Sequence, residues 1–277
     1  MMSMTPTRQG WLRAVVAALF AGLFSVAWPR EPVAEMAALY RAQVDRRLDV
    51  PAVEARRYGH LAEEALTRAG VSLAQPQYVA VVDRDPDVQA FFLLWRSAQG
   101  EFQWVGASPV STGRPGRFDH FETPLGVFEH STGNPDFRAE GTRNSKGIRG
   151  YGAKGMRVYD FGWQRAPRGW GDGAVSDMRL QMHATDPDLL EQRLGSAQSK
   201  GCIRIPAALN RLLDHYGVLD ADYEQALRDG RKLWVLDAQR EPVTDPGRYL
   251  IVVESGRQDR PDWSPAPFKP VAPAGRR

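Results

Sequence analysis

From Tyr78 the hydrophobic pattern takes the period of strands, and this limits the chain more than any other feature. Tyr78–Val82, Ala90–Arg96 and Phe102–Val110 read as strands, the last two joined through Ala98-Gln99-Gly100 as a hairpin. Two turn-rich blocks follow. Pro109-Val110-Ser111-Thr112-Gly113 runs into Arg114-Pro115-Gly116-Arg117, and Thr123-Pro124-Leu125-Gly126-Val127-Phe128 comes after a short break. Such links between strands suit a β-dominated core. Farther on, Met178, Leu180 and Met182 alternate with Arg179, Gln181 and His183. That is a half-buried strand with His183 near its end on the polar face. Asp186 can cap a short helix over roughly Pro187–Leu194, which Gly195 stops. Pro206 opens a helix with Leu209, Leu212 and Leu213 inward, ended by Gly217. Ala221–Arg228, ended by Gly230, is another, and Lys232–Leu236 and Arg248–Val253 read as closing strands. The class is β-dominated α+β.

Ahead of the strands the period is helical. Val33, Met36, Ala37, Tyr40, Val44 and Leu48 share one face, and Tyr58, Leu61, Ala62 and Ala65 share another that Gly70 ends. The spacing predicts a helical hairpin over 32–72, an accessory to a main domain over 76–256. The remainder, 257–277, carries prolines at 261, 265, 267, 270 and 273 and is expected to be extended or disordered.

The first 27 residues read as a signal peptide or a membrane anchor. Arg8 and Arg13 precede the uncharged run Ala14–Ala27, and Ser25-Val26-Ala27 offers small residues for cleavage. The run is shorter than the roughly 20 residues a comfortable span needs. The rest of the chain is expected in the periplasm, free or anchored to the inner membrane, with no other membrane contact. A formal charge of +3 is too small to argue for nucleic acid, and no phosphate loop, HExxH or RNA-binding aromatic motif is present.

An exported chain with one cysteine has no internal disulfide, so its thiol is either inert in a core or reactive. Cys202 lies in Ser199-Lys200-Gly201-Cys202-Ile203-Arg204, with a helix opening at Pro206. Such a junction favours the reactive thiol. His183, nineteen positions upstream, is its candidate base. Gly201 lets the backbone approach a bound carbonyl and frees N–H groups for a developing oxyanion. His60, His120, His130 and His215 lack ligand spacing and read as surface residues, so no metal is expected. From Arg138 to Arg168 eight basic residues face two acidic ones, a net +6. Either this is a solvated loop, or it is a cationic flap whose Arg143, Arg149 and Arg157 meet substrate carboxylates.

These blocks together resemble the L,D-transpeptidase catalytic domain, also called YkuD-type, over about Gln77–Val253. Pro109–Gly113 (PVSTG) with Thr123–Phe128 (TPLGVF) resembles the family's second block. His183 followed by Ser199-Lys200-Gly201-Cys202-Ile203-Arg204 resembles its catalytic block. The resemblance implies a sandwich-like catalytic domain that cleaves peptidoglycan stem peptides after the diamino acid at position three. The acyl group passes through a cysteine thioester to an acceptor amine, on another stem peptide or, in some members, a lipoprotein lysine. A hydrolase on the same scaffold, trimming stem peptides or releasing lipoproteins, is the alternative. No cofactor is implied. Cys202 falls on the nucleophile and His183 on the base. Ala184 falls on the position whose carbonyl or hydroxyl orients the histidine, and having no hydroxyl must use its carbonyl. Gly201, Cys202 and Lys200 fall where N–H groups form the oxyanion hole, and Ser199 and Arg204 on flanking positions. Lys200 departs from the pattern, since many members carry a second histidine there.

Overall fold

The computed structural model describes residues 32–267. The leader reading of residues 1–27 and the end of the Pro-rich tail lie outside the described residues. The elements are α1 (Pro32–Gln43), α2 (Ala52–Arg68), β1 (Gln77–Asp83), β2 (Ala90–Arg96), β3 (Phe102–Pro109), β4 (Gly126–Glu129), β5 (Phe137–Arg138), β6 (Arg157–Pro167), β7 (Val175–Ala184), β8 (Ile203–Ile205), α3 (Ala207–His215), α4 (Ala221–Arg228) and β9 (Tyr249–Val253). The chain is strand-rich α+β. One sheet runs β3-β2-β1-β9-β4 and the other β5-β6-β7-β8. Neighbours are antiparallel except for the parallel pairs β1–β9 and β7–β8.

The first sheet is covered on both faces, so its central strands read as unbroken apolar runs such as Ala90-Phe91-Phe92-Leu93-Leu94. Tyr78, Ala80, Val82, Phe91 and Leu93 face Tyr159, Phe161, Leu180, Met182 and Ile203 of the second sheet, with α1 and α3 completing that core. The alternate residues Val79, Val81, Phe92 and Leu94 face Tyr58, Ala62 and Leu66 of α2. The two helices therefore sit on opposite faces of one sheet and form no helical hairpin. The link between them crosses the free edge of β3, where the Leu48 N–H donates to the Ala107 carbonyl at 3.0 Å. That bond satisfies an edge strand and delivers α2 to the far side. Gly106 is small because Tyr40 lies on it: a Cβ there would meet the ring at 2.5 Å. The Tyr40 hydroxyl reaches Ser108 Oγ at 2.6 Å.

Four further expectations are corrected. Residues 232–236 form a turn, not a strand, closed by Leu236 N–H to the Leu233 carbonyl at 3.2 Å. The segment 187–194 is a turn followed by a three-residue 3-10 helix, Glu191–Arg193, although Asp186 caps it through the N–H groups of Asp188 and Leu189. The tail packs as far as it is described. Trp263 sits edge-on to Tyr58 and Phe92, and Arg257 pairs with Glu54. One large aromatic anchors a segment whose proline content alone argues for solvent. His130 is fully buried and His120 nearly so.

The last of these belongs to a buried charge network. His130 holds Asp136 through Nε2 at 2.9 Å and donates from Nδ1 to the Leu219 carbonyl at 2.8 Å. Arg157, fully buried on β6, donates to Asp136 at 2.6 Å and to Asp220 at 2.7 Å, between the rings of Tyr159 and Tyr223. Arg138 pairs with Asp214 at the margin of the cluster. Arg157 is thus a structural counter-charge and cannot meet substrate. Since 157–167 is a strand, the flap reading applies only to the loop between β5 and β6.

Candidate active site

The end of β7 and the start of β8 bring the two candidate residues to one face. Met182 pairs with Ile203 and His183 with Arg204. Met182 and Ile203 point into the core. The period of two then turns His183, Cys202 and Arg204 to the opposite face, with Cys202 diagonal to His183 across the pair. Cys202 is half-buried, and its thiol points to the Arg179 carbonyl at 3.9 Å.

His183 is buried and held. Its Nδ1–H donates to the Ala184 carbonyl at 2.8 Å, leaving the Nε2 lone pair as the basic one. Burial is the main reason its pKa falls to about 4, with Arg204 pushing it the same way and the Ala184 bond opposing. Burial likewise raises the Cys202 thiol, opposed by the backbone at Gln181 and by the Arg204 charge. At neutral pH Cys202 is therefore a thiol and His183 a neutral imidazole.

Tyr151, which sequence reasoning missed, covers this pair. Its ring sits edge-on to His183 at 4.7 Å, and its hydroxyl donates to Gln181 Oε1 at 3.1 Å. Gln181 in turn donates to Asp160, which also takes Arg179 Nε, both at 2.8 Å. Flanking Gly150 and Gly152 were the available signal, since an aromatic between two glycines is easily presented on a loop.

The Cys202 turn is cradled by the two turn-rich blocks. Ser111 and Arg204 exchange backbone bonds at 3.0 and 2.9 Å. The Arg114 N–H donates to the Ser199 carbonyl at 3.0 Å, and Phe121 N–H to that of Lys200 at 3.1 Å. Thr123 Oγ1 accepts from Gly113 N–H at 2.8 Å and donates to the Gly201 carbonyl at 2.7 Å. Ser199 staples the turn itself: its Oγ accepts from Gly201 N–H at 3.0 Å and donates to the Cys202 carbonyl at 2.5 Å. Gly201, at φ +126, has Met178 and Phe121 against the place of its missing Cβ. One expectation changes here. The Gly201 N–H is committed to Ser199 and is not a free oxyanion donor.

No family model matches the chain, and no curated protein matches it. Among solved structures the chain is similar to a point mutant of the helical cell shape determining protein Pgp2 from Campylobacter jejuni. The identity is 16% and the TM-score 0.30, over 75% of this chain. The chain spans 58% of the length of that structure.

The remaining cations divide by their partners. Arg204 makes no ion pair with any described residue and faces the site. Arg149 pairs with Asp188 at 2.8 Å and lies 3.9 Å from Asp186, and Arg143 reaches Asp188 at 3.4 Å, so the two arginines share two carboxylates. Lys200 is exposed and paired with Asp119 on the neighbouring loop. Among the described residues no three His, Cys, Asp or Glu side chains are grouped to hold a metal ion.

Proposed function

We propose that this chain is a cysteine-dependent L,D-transpeptidase acting on peptidoglycan stem peptides through a thioester. The observation that carries the reading is the buried, neutral His183, tied by Nδ1 to the Ala184 carbonyl, on the same face as Cys202. The sequence resemblance supplies the substrate class. Cys202 Sγ attacks the carbonyl carbon of the bond after the diamino acid while its proton passes to His183 Nε2. The collapsing intermediate returns that proton to the leaving amine, and D-alanine departs. An acceptor amine then attacks the thioester carbonyl, losing a proton to His183, which restores the thiol as the sulfur leaves. The Cys202 N–H faces the developing oxyanion. Arg204 supports the reading as a cation free to meet a donor carboxylate. Export, which the leader supports, is a condition of the proposal.

Incubation with a disaccharide-tetrapeptide and separation of the products by mass tests it. Cross-linked dimers are expected. Trimmed monomers alone would make the enzyme a hydrolase, water replacing the acceptor amine, and unchanged substrate would sink both readings.

Arg204 also gives a pH prediction. It helps hold the His183 pKa down, and the imidazole must be unprotonated to act as base. Arg204→Gln should therefore move the acid limb of kcat/KM to higher pH as well as raise the donor KM. An unmoved limb would show that Arg204 does not act on His183.

A further inference from the structure

Beside the His183 side of the proposed site, across the Tyr151 ring, lies a pocket whose one uncommitted charge is acidic. The pocket, of about 470 Å3, lies between Phe137–Thr142 and Gly150–Gly152. Tyr151 is the shared wall, since the ring that lines the pocket is the one packed against His183. Gly152, at φ +86, seats that wall on the end of β7: a Cβ there would meet the Ala184 Cβ at 2.8 Å. Two charged side chains line the space, Arg138 and Glu140. Arg138 is spent. It pairs with Asp214 and donates to the Val235 carbonyl at 2.8 Å and the Gly155 carbonyl at 3.1 Å. Glu140 is exposed and makes no ion pair with any described residue, Lys154 across the loop included. The pocket thus offers a carboxylate, a phenol ring and backbone groups, a set that attracts a cation and repels a second carboxylate.

We propose that Glu140 makes this pocket the receptor for a primary ammonium group of the stem-peptide substrate, held on the His183 side of Cys202. The inference rests on the substrate class proposed above. A diamino acid carries such a group whether it arrives as acceptor or as donor. Glu140 binds the ammonium and takes no part in proton transfer, which stays with His183. The location suits an acceptor: its ammonium sheds one proton to water, and the neutral amine then attacks the thioester and gives a second proton to His183, which returns it to the departing sulfur.

The test is calorimetric binding to the full chain carrying Cys202→Ala, so that nothing turns over. The probes are a stem tripeptide, which can only accept, and a stem tetrapeptide, which can donate, each with its side-chain amine free or acetylated. Acetylation is expected to weaken binding about tenfold, the scale of one charge-assisted hydrogen bond. Glu140→Gln should weaken the free-amine peptide about as much and erase the effect of acetylation, while Glu140→Asp keeps most of it. An effect confined to the tripeptide assigns the pocket to the acceptor, and one confined to the tetrapeptide assigns it to the donor. Equal affinity for free and acetylated forms of both peptides overturns the inference, as does an acetylation effect that survives Glu140→Gln. Thioester formation on the unmodified protein is read separately by intact mass. Its absence alongside an intact acetylation effect would sink the transpeptidase reading and leave the ammonium pocket standing.

Discussion

His183→Gln is expected to lower kcat at least about a hundredfold, and Cys202→Ala to abolish the thioester seen by intact-protein mass. The size follows from what each atom does. Burial holds the thiol above its ordinary range, so almost no free thiolate is present at neutral pH. Attack then depends on handing the proton to a base as the bond forms. In the proposed mechanism that base is His183, neutral and with Nε2 left free by the Ala184 carbonyl. Glutamine can hold a similar shape but cannot carry the proton. The pH profiles should differ in kind. With His183 present, kcat/KM should rise through about pH 4, where the imidazole loses its proton, and then level off. With glutamine that limb should vanish. The residual rate should climb with pH, about tenfold per unit, as hydroxide generates the thiolate in place of the base. Lys200 supplies the contrast. Its charge is exposed and paired with Asp119, so Lys200→Ala should cost less than about tenfold and Lys200→His should be tolerated. A larger loss from Lys200→Ala than from His183→Gln, both variants folded, would overturn the assignment of the base.

The strands β1, β2, β3, β9 and the end of β7 were legible because their physics is local, whereas β6, inside a segment read as a loop, was not. A sheet covered on both faces needs runs such as Ala90–Leu94, and alternation in Met178–His183 states which side faces the core. That His183 lies on the face opposite the core was legible in that alternation, although the register that sets Cys202 diagonally to it was not. What failed was whatever depended on distant partners. Counting charge along 138–168 treats each arginine as solvated. Arg157 is buried because Asp136 and Asp220 reach it from elements far along the chain. His130 read as a surface residue for the same reason. Trp263 was hidden by the prolines around it, and Tyr151 by the irregular loop that carries it. The helical hairpin failed because amphipathicity says that a face is buried and not what buries it. Here the sheet, offered to both helices, was the better partner.

Arg157 should prove essential to folding and not to substrate affinity. Its guanidinium lies between Asp136 and Asp220, all three with no exposed side-chain surface, and Asp214 lies 3.5 Å away. Arg157→Met keeps much of the volume and removes the charge, leaving buried carboxylates without their main counter-ion. Breaking one partner out of such a cluster typically costs about 3–5 kcal/mol, a large part of the stability of a chain this size. The shift should appear as a lower urea midpoint with the slope unchanged. His130 modulates the loss. Burial alone would push its pKa down, but the Asp136 carboxylate outweighs that and holds it above the ordinary value, while Arg157 opposes the gain. A histidine raised in the folded state stabilises fully below its unfolded pKa, and that stability fades as pH rises through the folded one. Without Arg157 the His130 pKa should rise further, so the variant should recover part of its deficit under mildly acidic conditions. Arg138→Met, at the half-exposed margin beside Asp214, should cost less. A variant Arg157→Met that keeps the parent's urea midpoint yet shows a raised donor KM would return Arg157 to the substrate and remove it from the core.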